Sequence, residues 1–255
     1  MDTERSSIER ALAAAGCIAP EQEAAELIRA AASGIGPIEE LLARRATGEP
    51  LAWITGEVGF CGIRIRVDRG IYVPRPLTQP LALRAATLLP SRGIAVDLCT
   101  GSGAVAAVMR SAHPQATIVA TDLDPAAVAC ARRNGVHALQ GDLDAPLPSS
   151  LEGSVDVLTA IVPYVPTNEL HLLPRDVREH EPRLALDGGA GGTGLLERVV
   201  AVSPRWLRRG GSLLLEIGGD QARALDAALA AAGLSAMEVL RDVDGDDRAI
   251  GARSA

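Results

Sequence analysis

A glycine-rich turn between an apolar run and a helical pattern is the stretch of this chain best suited to bind a ligand. The turn consists of Cys99, Thr100, Gly101, Ser102 and Gly103. Its two glycines allow the backbone to turn tightly and to approach a bound molecule closely. The helical pattern that begins at Ala104 adds free N–H groups at a helix N-terminus. Strand, glycine turn and helix in this order are typical of nucleotide-binding α/β domains.

Two carboxylates follow later apolar runs, where a parallel sheet would bring them to the edge that carries the glycine turn. Asp122 comes about twenty residues after the turn, where a carboxylate can accept hydrogen bonds from both ribose hydroxyls. It could instead cap the next helix, but Asp124, directly before Pro125, is better placed for that role. Asp142 can accept from an exocyclic amine such as that of adenine. A solvated turn residue is an equally good interpretation of Asp142.

The residue types around the turn narrow the class of nucleotide. The chain contains no lysine, so the lysine of a P-loop is absent. The third position of a G-x-G-x-x-G pattern is Ala106, which leaves dinucleotide redox chemistry as a remote alternative. A ligand with ribose, adenine and a short amino-acid tail suits the turn and the two carboxylates. We therefore predict S-adenosylmethionine (SAM), with Leu143 beside Asp142 at the adenine.

Composition excludes several other classes of protein. The 255 residues carry a net charge of −7, so the molecule as a whole is not expected to bind nucleic acid. The four cysteines show no C-x-x-C spacing, and we expect reduced thiols and no metal site. No signal peptide and no apolar run of about 18 residues is evident, so we expect a cytoplasmic protein without a membrane segment.

The elements that must position these residues differ along the chain. Residues 1–47 show apolar residues at helical spacing and predict three short helices, broken near Pro20 and Gly34. The alternating run Ile63–Val67 predicts a half-exposed strand, with Ile71–Val73 as its hairpin partner. We therefore expect a helical domain over 1–56, a hairpin linker over 57–76 and a ligand-binding domain over 77–255.

From Gly93 onward, strand patterns alternate with helical patterns, which predicts a parallel sheet with helices on both faces. Ligands in such sheets bind outside the carboxyl ends of the strands. The polar residues that follow the strands would therefore line one crevice. The predicted strands are 94–99, 117–121, 136–140, 155–160, 212–217, 235–242 and 249–253, and the predicted helices are 104–112, 124–134, 194–206 and 221–232.

The motifs, taken in order, resemble the HemK-type protein-(glutamine-N5) methyltransferases, which act on peptide release factors. The stretch from Asp97 to Val105, D-L-C-T-G-S-G-A-V, is similar to the first motif of class I methyltransferases. Further similar segments are Arg45–Ala52, Val73–Pro76, Glu181–Gly189, Glu216–Gly218 with Gln221, and Asp244–Arg248.

The resemblance covers roughly residues 44–252 and implies a class I, Rossmann-like fold, with a seven-stranded, mostly parallel sheet. It also implies SAM as cofactor and a release factor with a Gly-Gly-Gln loop as partner. The acceptor would bind at Ile161, Val162, Pro163 and Tyr164.

The chain departs from the family pattern at the acceptor site. The family's N-P-P-Y is represented here by Ile161-Val162-Pro163-Tyr164, and its P-R-P-E-T-E by Pro74–Gln79, in which both glutamates are replaced. The family's asparagine holds the substrate amide, and isoleucine cannot accept a hydrogen bond. Three functions follow as alternatives: a glutamine methyltransferase, a methyltransferase of the same fold with another acceptor, and a catalytically weak SAM-binding or partner-binding protein. His180, near the predicted crevice, is the one histidine that we regard as a candidate site residue.

Overall fold

The computed structural model describes residues 2–242 and 244–255, and it begins with a helical unit. This unit comprises α1 (Asp2–Ala14), α2 (Pro20–Ala32), α3 (Ile38–Ala46) and α4 (Leu51–Thr55). Aliphatic side chains at helical spacing form its core: Ile8, Leu12, Ala24, Leu27, Ala30, Leu41 and Ile54. The three predicted helices are thus confirmed, and a short fourth helix follows them. No helix within the described ranges is long and apolar enough to cross a membrane.

A β-hairpin formed by β1 (Glu57–Phe60) and β2 (Ile63–Arg66) follows α4. The expectation that Ile71–Val73 pairs with the second of these strands is wrong. Cys61 and Gly62 both have positive φ, which closes a two-residue hairpin turn on the N-terminal side of β2. The backbone N–H of Val73 instead points to the Glu181 carboxylate, at 3.4 Å.

The remaining strands of the described chain form one seven-stranded sheet with the order β5-β4-β3-β6-β7-β9-β8. Neighbouring strands from β5 to β7 are parallel, and β9 runs antiparallel to both β7 and β8. The strands are β3 (Ile94–Leu98), β4 (Thr117–Asp122), β5 (His137–Gln140), β6 (Val155–Ala160), β7 (Leu207–Glu216), β8 (Leu234–Arg241) and β9 (Asp247–Ser254). The predicted α/β fold and mostly parallel sheet are confirmed.

Helices cover both faces of this sheet. Successive residues of β3 point to opposite sides, so Ala95 belongs to one hydrophobic cluster and Val96 to the other. The helices are α5 (Gln79–Leu88), α6 (Ala104–Ala112), α7 (Pro125–Arg133), α8 (Arg175–His180), α9 (Gly194–Trp206), α10 (Gln221–Ala224) and α11 (Asp226–Ala231). The helix expected over 221–232 is therefore divided in two at Leu225.

The connections on either side of β3 create the opening for a site. The chain passes from β3 to β4 on one side, whereas β6 pairs with β3 on the other side. Loops that leave the carboxyl ends of β3 and β6 consequently diverge, and a crevice forms between them. The candidate residues all follow strands that end at this edge.

Candidate functional site

A cavity of about 510 Å³ lies at the carboxyl ends of β3, β4, β5 and β6. Its volume is in the range of small-molecule and cofactor sites. The structure brings eleven of the twelve predicted site residues to its wall. They are Cys99, Thr100, Gly101, Ser102, Asp122, Asp142, Leu143, Ile161, Val162, Pro163 and Tyr164.

The two glycines of the turn have different structural roles. Gly101 has φ +56°, and a Cβ built on it would have no heavy atom within 4 Å, so open space adjoins its backbone. Gly103, the predicted residue that does not line the cavity, has φ +80°. A Cβ there would lie 3.0 Å from the Cβ of Ala131 and 3.1 Å from Val136. Gly101 can therefore admit a ligand, whereas Gly103 allows α6 to start against α7.

Cys99 has φ +54°, the left-handed region that non-glycine residues adopt at a cost. A β-branched side chain tolerates this conformation least, so Cys99→Val is expected to lower the free energy of unfolding by about 1–3 kcal/mol. Cys99→Gly is the control, since glycine adopts the same φ freely. Urea denaturation of the three proteins measures the effect, and equal stability of the valine variant would contradict the assigned strain.

Asp97, near the end of β3, holds the glycine turn in place through its side chain. Its carboxylate accepts hydrogen bonds from the hydroxyl of Thr100 at 2.5 Å and from that of Thr159 at 2.6 Å. Burial raises the pKa of the Asp97 carboxyl to about 6, and the two hydroxyls oppose this shift. The turn is thereby held to two neighbouring strands by a buried group that titrates near neutral pH.

Stability is expected to depend on pH through Asp97. In the folded chain the Asp97 carboxyl keeps its proton up to a pH of about 6, whereas an unfolded aspartate releases it near its ordinary pKa of 3.8. Between these two pH values the folded state therefore binds more protons than the unfolded state. The free energy of unfolding should fall with rising pH there, by up to about 1.4 kcal/mol per pH unit. Asp97→Asn, which does not titrate, should flatten this slope in denaturation series across the window. Equal slopes would exclude Asp97 as the source.

Asp122, at the end of β4, faces the turn directly. Its carboxylate accepts from the backbone N–H of Gly101 at 2.8 Å and from that of Asp124 at 2.9 Å. Burial raises the pKa of Asp122, and these backbone hydrogen bonds oppose the shift. Asp124 itself accepts from the Ala126 N–H at 2.8 Å and caps α7, as predicted. The helix-capping role is thus filled, and Asp122 remains a cavity-lining carboxylate.

Asp142 and Leu143 follow β5 at the far side of the cavity. The Asp142 carboxylate is about half exposed and pairs with the Arg198 guanidinium at 2.8 Å. Leu143 is buried with φ +47°, and its carbonyl accepts from the Thr121 hydroxyl at 2.7 Å. Leu143 is therefore fixed as an apolar wall, while Asp142 lies at the rim.

The four residues after β6 form the other end of the cavity. Tyr164 is held twice: its hydroxyl donates to Glu216 Oε1 at 3.0 Å, and its carbonyl accepts from Gln221 Nε2 at 2.8 Å. Burial raises the pKa of the Tyr164 phenol, and the nearby Glu216 carboxyl adds to the shift. Ile161 packs against the hydrophobic cluster that contains Ala95, on one face of the sheet. This end is thus an apolar wall with one fixed aromatic ring.

A charged pair beside this wall, formed by the half-buried Arg75 and the buried Glu181, was not predicted as part of the site. Arg75 donates to Glu181 at 2.5 Å, and its guanidinium lies over the Tyr72 ring at 4.9 Å. Arg75 and Tyr72 both line the cavity. The sequence could have indicated both residues, because Arg75 lies in Val73–Pro76 and Glu181 in Glu181–Gly189, two of the segments that resemble the family. His180, by contrast, does not line the cavity and lies against the Trp53 ring, with 6.4 Å between ring centroids.

Comparison with known proteins identifies a matching domain family and several relatives. A family model described as a methyltransferase domain matches residues 95–180. A relative from Moorella thermoacetica named "Release factor glutamine methyltransferase" is 38% identical over 267 residues, covering 94% of this chain and 93% of the relative. A relative of the same name from Cereibacter sphaeroides is 39% identical over 219 residues, covering 84% of this chain and 78% of the relative.

The chain belongs to the release factor glutamine methyltransferase family. It is accordingly a SAM-dependent methyltransferase. Among solved structures, ribosomal protein L11 methylase from Lactobacillus delbrueckii subsp. bulgaricus is 17% identical, with a TM-score of 0.52 over 75% of this chain and 86% of that one. That likeness shows the class I methyltransferase fold.

The residues of the cavity fit SAM. The open space beside Gly101 would be filled by any side chain at that position, as expected where a ligand approaches the backbone. Asp122 offers acceptor oxygens at the same end, and the buried Leu143 offers an apolar surface. A nucleoside needs acceptors for its hydroxyl groups and an apolar contact for its base, and both are present.

The structure also shows where the residues that differ from the glutamine methyltransferase pattern lie. Leu77 lines the cavity, so an apolar group stands where the family has glutamate. Gln79 does not line it; its Oε1 accepts from the Cys61 N–H at 3.2 Å and ties α5 to the hairpin. Leu77 and Ile161 therefore add apolar surface to the cavity, while Gln79 has a structural contact.

Proposed function

We propose that this chain transfers the methyl group of SAM to the side-chain amide of a glutamine in a peptide release factor. The observation that carries the proposal is that one cavity joins the Gly101 and Asp122 end to the Pro163 and Tyr164 end. Membership of the release factor glutamine methyltransferase family supports the same acceptor.

We assign the cofactor to the residues that follow β3, β4 and β5. SAM supplies an electrophilic methyl group when bound. The turn from Cys99 to Gly103 would hold the methionine tail, Asp122 the ribose, and Asp142 with Leu143 the adenine. Gly103 would act through the backbone conformation that it permits, since its own Cα faces α7.

The acceptor would bind against Ile161, Val162, Pro163 and Tyr164. An amide nitrogen is a weak nucleophile because its lone pair is delocalised into the carbonyl, so orientation matters more than a strong base. Tyr164 can provide a flat wall for a planar amide, because Glu216 and Gln221 fix its position. The apolar residues around it would exclude water.

The proposal extends to the rest of the chain. We assign residues 1–56 to a helical domain, 57–76 to a hairpin linker and 77–255 to the SAM-binding domain.

A release factor acts in the cytoplasm, so the proposed partner implies that location. The net charge of −7 gives no support to nucleic-acid binding.

A labelling experiment tests the proposed function. Wild-type protein, methyl-labelled SAM and a purified release factor should give label on the glutamine of the Gly-Gly-Gln loop, located by mass spectrometry. A release factor with that glutamine replaced by alanine is the control. SAM binding by calorimetry without any labelled product would instead favour a catalytically weak SAM-binding protein.

Ile161 favours a second candidate, a methyltransferase with a different acceptor. Its side chain cannot accept the N–H of an amide, and Leu77 adds to the apolar wall. Labelling of a cognate lysate discriminates the two candidates. Label on a product without a glutamine amide would support the second.

A further inference from the structure

Arg75 is the only basic side chain among the described residues that line the cavity. Its side chain is 24% exposed, so a molecule in the cavity can reach the guanidinium. The same cavity is lined by five aspartates: Asp97, Asp122, Asp124, Asp142 and Asp176. In the part of the chain that the structure describes, Arg75 is therefore the one cationic hydrogen-bond donor that a ligand of this cavity meets.

Two contacts fix the orientation of this guanidinium. It lies over the Tyr72 ring, with Cζ 4.9 Å from the ring centroid, and its Nη2 donates to Glu181 Oε1 at 2.5 Å. The Glu181 side chain is 1% exposed and also accepts from the backbone N–H of Val73 at 3.4 Å. A guanidinium has five N–H groups, and the bond to Glu181 uses one of them. Donors therefore remain for a ligand.

The guanidinium lies on the Tyr164 side of the cavity. Burial raises the pKa of the Glu216 carboxyl, and the nearby charge of Arg75 is among the groups that oppose this shift. Burial also raises the pKa of the cavity-lining Tyr72 phenol, and the same Glu216 carboxyl adds to that shift. Glu216 in turn accepts from the Tyr164 hydroxyl at 3.0 Å. Arg75 is thus close to the residues proposed to bind the acceptor.

The ion pair with Glu181 limits what Arg75 can bind. A carboxylate ligand would compete with Glu181 for the same cation and would bring a further negative charge into a cavity that aspartates line. A neutral carbonyl oxygen needs only one free N–H. A glutamine side chain presents such an oxygen, whereas a glutamate side chain presents a carboxylate. The paired guanidinium is therefore suited to an amide.

We propose that Arg75 is a specificity-determining residue that donates to the carbonyl oxygen of the acceptor amide, and that Glu181 is the positioning residue that neutralises and holds Arg75. The inference rests on the proposed function, in which a glutamine enters beside Tyr164. A hydrogen bond to the amide oxygen draws electron density away from the nitrogen, so it orients the amide and does not activate it. Its loss should therefore appear in KM more than in kcat.

Two variants test the donor without leaving a buried charge unpaired. Glu181→Gln keeps an oxygen that accepts from Arg75 and removes the negative charge. Arg75→Met, added to it, removes the donor at a similar side-chain length. Relative to Glu181→Gln, the double variant should have a KM for the release factor about tenfold higher, a smaller change in kcat and an unchanged dissociation constant for SAM.

Arg75→Lys gives a second measurement in which Glu181 stays paired. Lysine keeps the positive charge, but it lacks the planar group that donates to Glu181 and to a second oxygen in fixed directions. The KM for the release factor should again rise, with an unchanged SAM affinity. Thermal denaturation checks the folding of every variant.

The choice between glutamine and glutamate tests Glu181. A release factor whose Gly-Gly-Gln glutamine is replaced by glutamate is titrated into the SAM-free protein by calorimetry, beside the natural release factor. Wild type should bind the glutamine form more tightly. In Glu181→Gln the cation has no carboxylate partner, so this preference should fall by about tenfold. A merely structural role of Glu181 would weaken the binding of both forms by the same factor.

The outcomes separate this inference from the proposed function. If wild type labels the release factor and neither the double variant nor Arg75→Lys raises KM, Arg75 is not the donor. A loss of SAM affinity with an unchanged KM would assign Arg75 to the carboxylate of the methionine tail and would also overturn the inference. An unchanged preference in Glu181→Gln removes the role of Glu181. Failure of wild type to label the release factor would refute the proposed function, and the inference with it.

Discussion

Replacing Asp122 by alanine is expected to weaken SAM binding by at least 100-fold. The proposed role of this carboxylate is to accept both ribose hydroxyls, and hydrogen bonds to a charged group contribute about 1.5–3 kcal/mol each. Loss of two such bonds corresponds to about 3 kcal/mol or more, which is a factor of at least 100 in the dissociation constant. Calorimetric titration of the variant with SAM measures the effect.

The control for Asp122→Ala is Asp124→Ala, two residues further along the same loop. Asp124 caps α7 through the Ala126 N–H, so its loss should lower the free energy of unfolding by about 1 kcal/mol. Its SAM affinity should remain near that of the wild type. Because Asp122 also accepts from Gly101 and Asp124, the folding of each variant is checked by thermal denaturation. Equal losses of SAM affinity in the two variants would contradict the ribose assignment.

Much of the fold was predictable because it depends on local patterns. Apolar runs such as Ile94–Leu98 have both faces buried between helices, which makes parallel strands stand out in a sequence. The hairpin was assigned wrongly because two turn signals lay close together, Cys61-Gly62 and Asp68–Gly70. Choosing between them requires the tertiary contact of Val73 with Glu181, which is over a hundred residues away in the chain and has no local signal.

The end of the cavity that Gly101 and Asp122 line was predictable for a similar reason. Each cofactor candidate follows a strand that ends at the same edge, so strand order alone brings Gly101 and Asp122 together. The hydrogen bond from the Tyr164 hydroxyl to Glu216 was not predicted, because it depends on how the loop after β6 packs against the end of β7.

The acceptor end shows where sequence and structure must be combined. The departure at Ile161 is visible in the sequence, but its consequence depends on what else surrounds the acceptor. The structure supplies a fixed aromatic ring at Tyr164. A planar amide could therefore still pack its flat face against this ring, although Ile161 offers no side-chain acceptor for its N–H groups.

Ile161→Asn is expected to raise the rate of methyl transfer to the release factor by about 10- to 100-fold. An asparagine oxygen can accept the amide N–H that isoleucine leaves unpaired, and an unpaired buried group costs about 1–3 kcal/mol. Better orientation of the amide nitrogen adds to the same effect. Single-turnover labelling of the release factor by the two proteins, at saturating SAM, measures the ratio.

The matched control is Ile161→Val, which shortens the side chain without adding an acceptor and should leave the rate within a few-fold of the wild type. Ile161 packs on the hydrophobic cluster beneath the sheet, so the asparagine variant should also be less stable, by about 1–3 kcal/mol. Higher activity in a less stable protein could not come from general tightening of the fold. If the wild type is active and Ile161→Asn leaves the rate unchanged, the acceptor amide does not depend on position 161. Its orientation would then have to come from Tyr164 and the backbone around it.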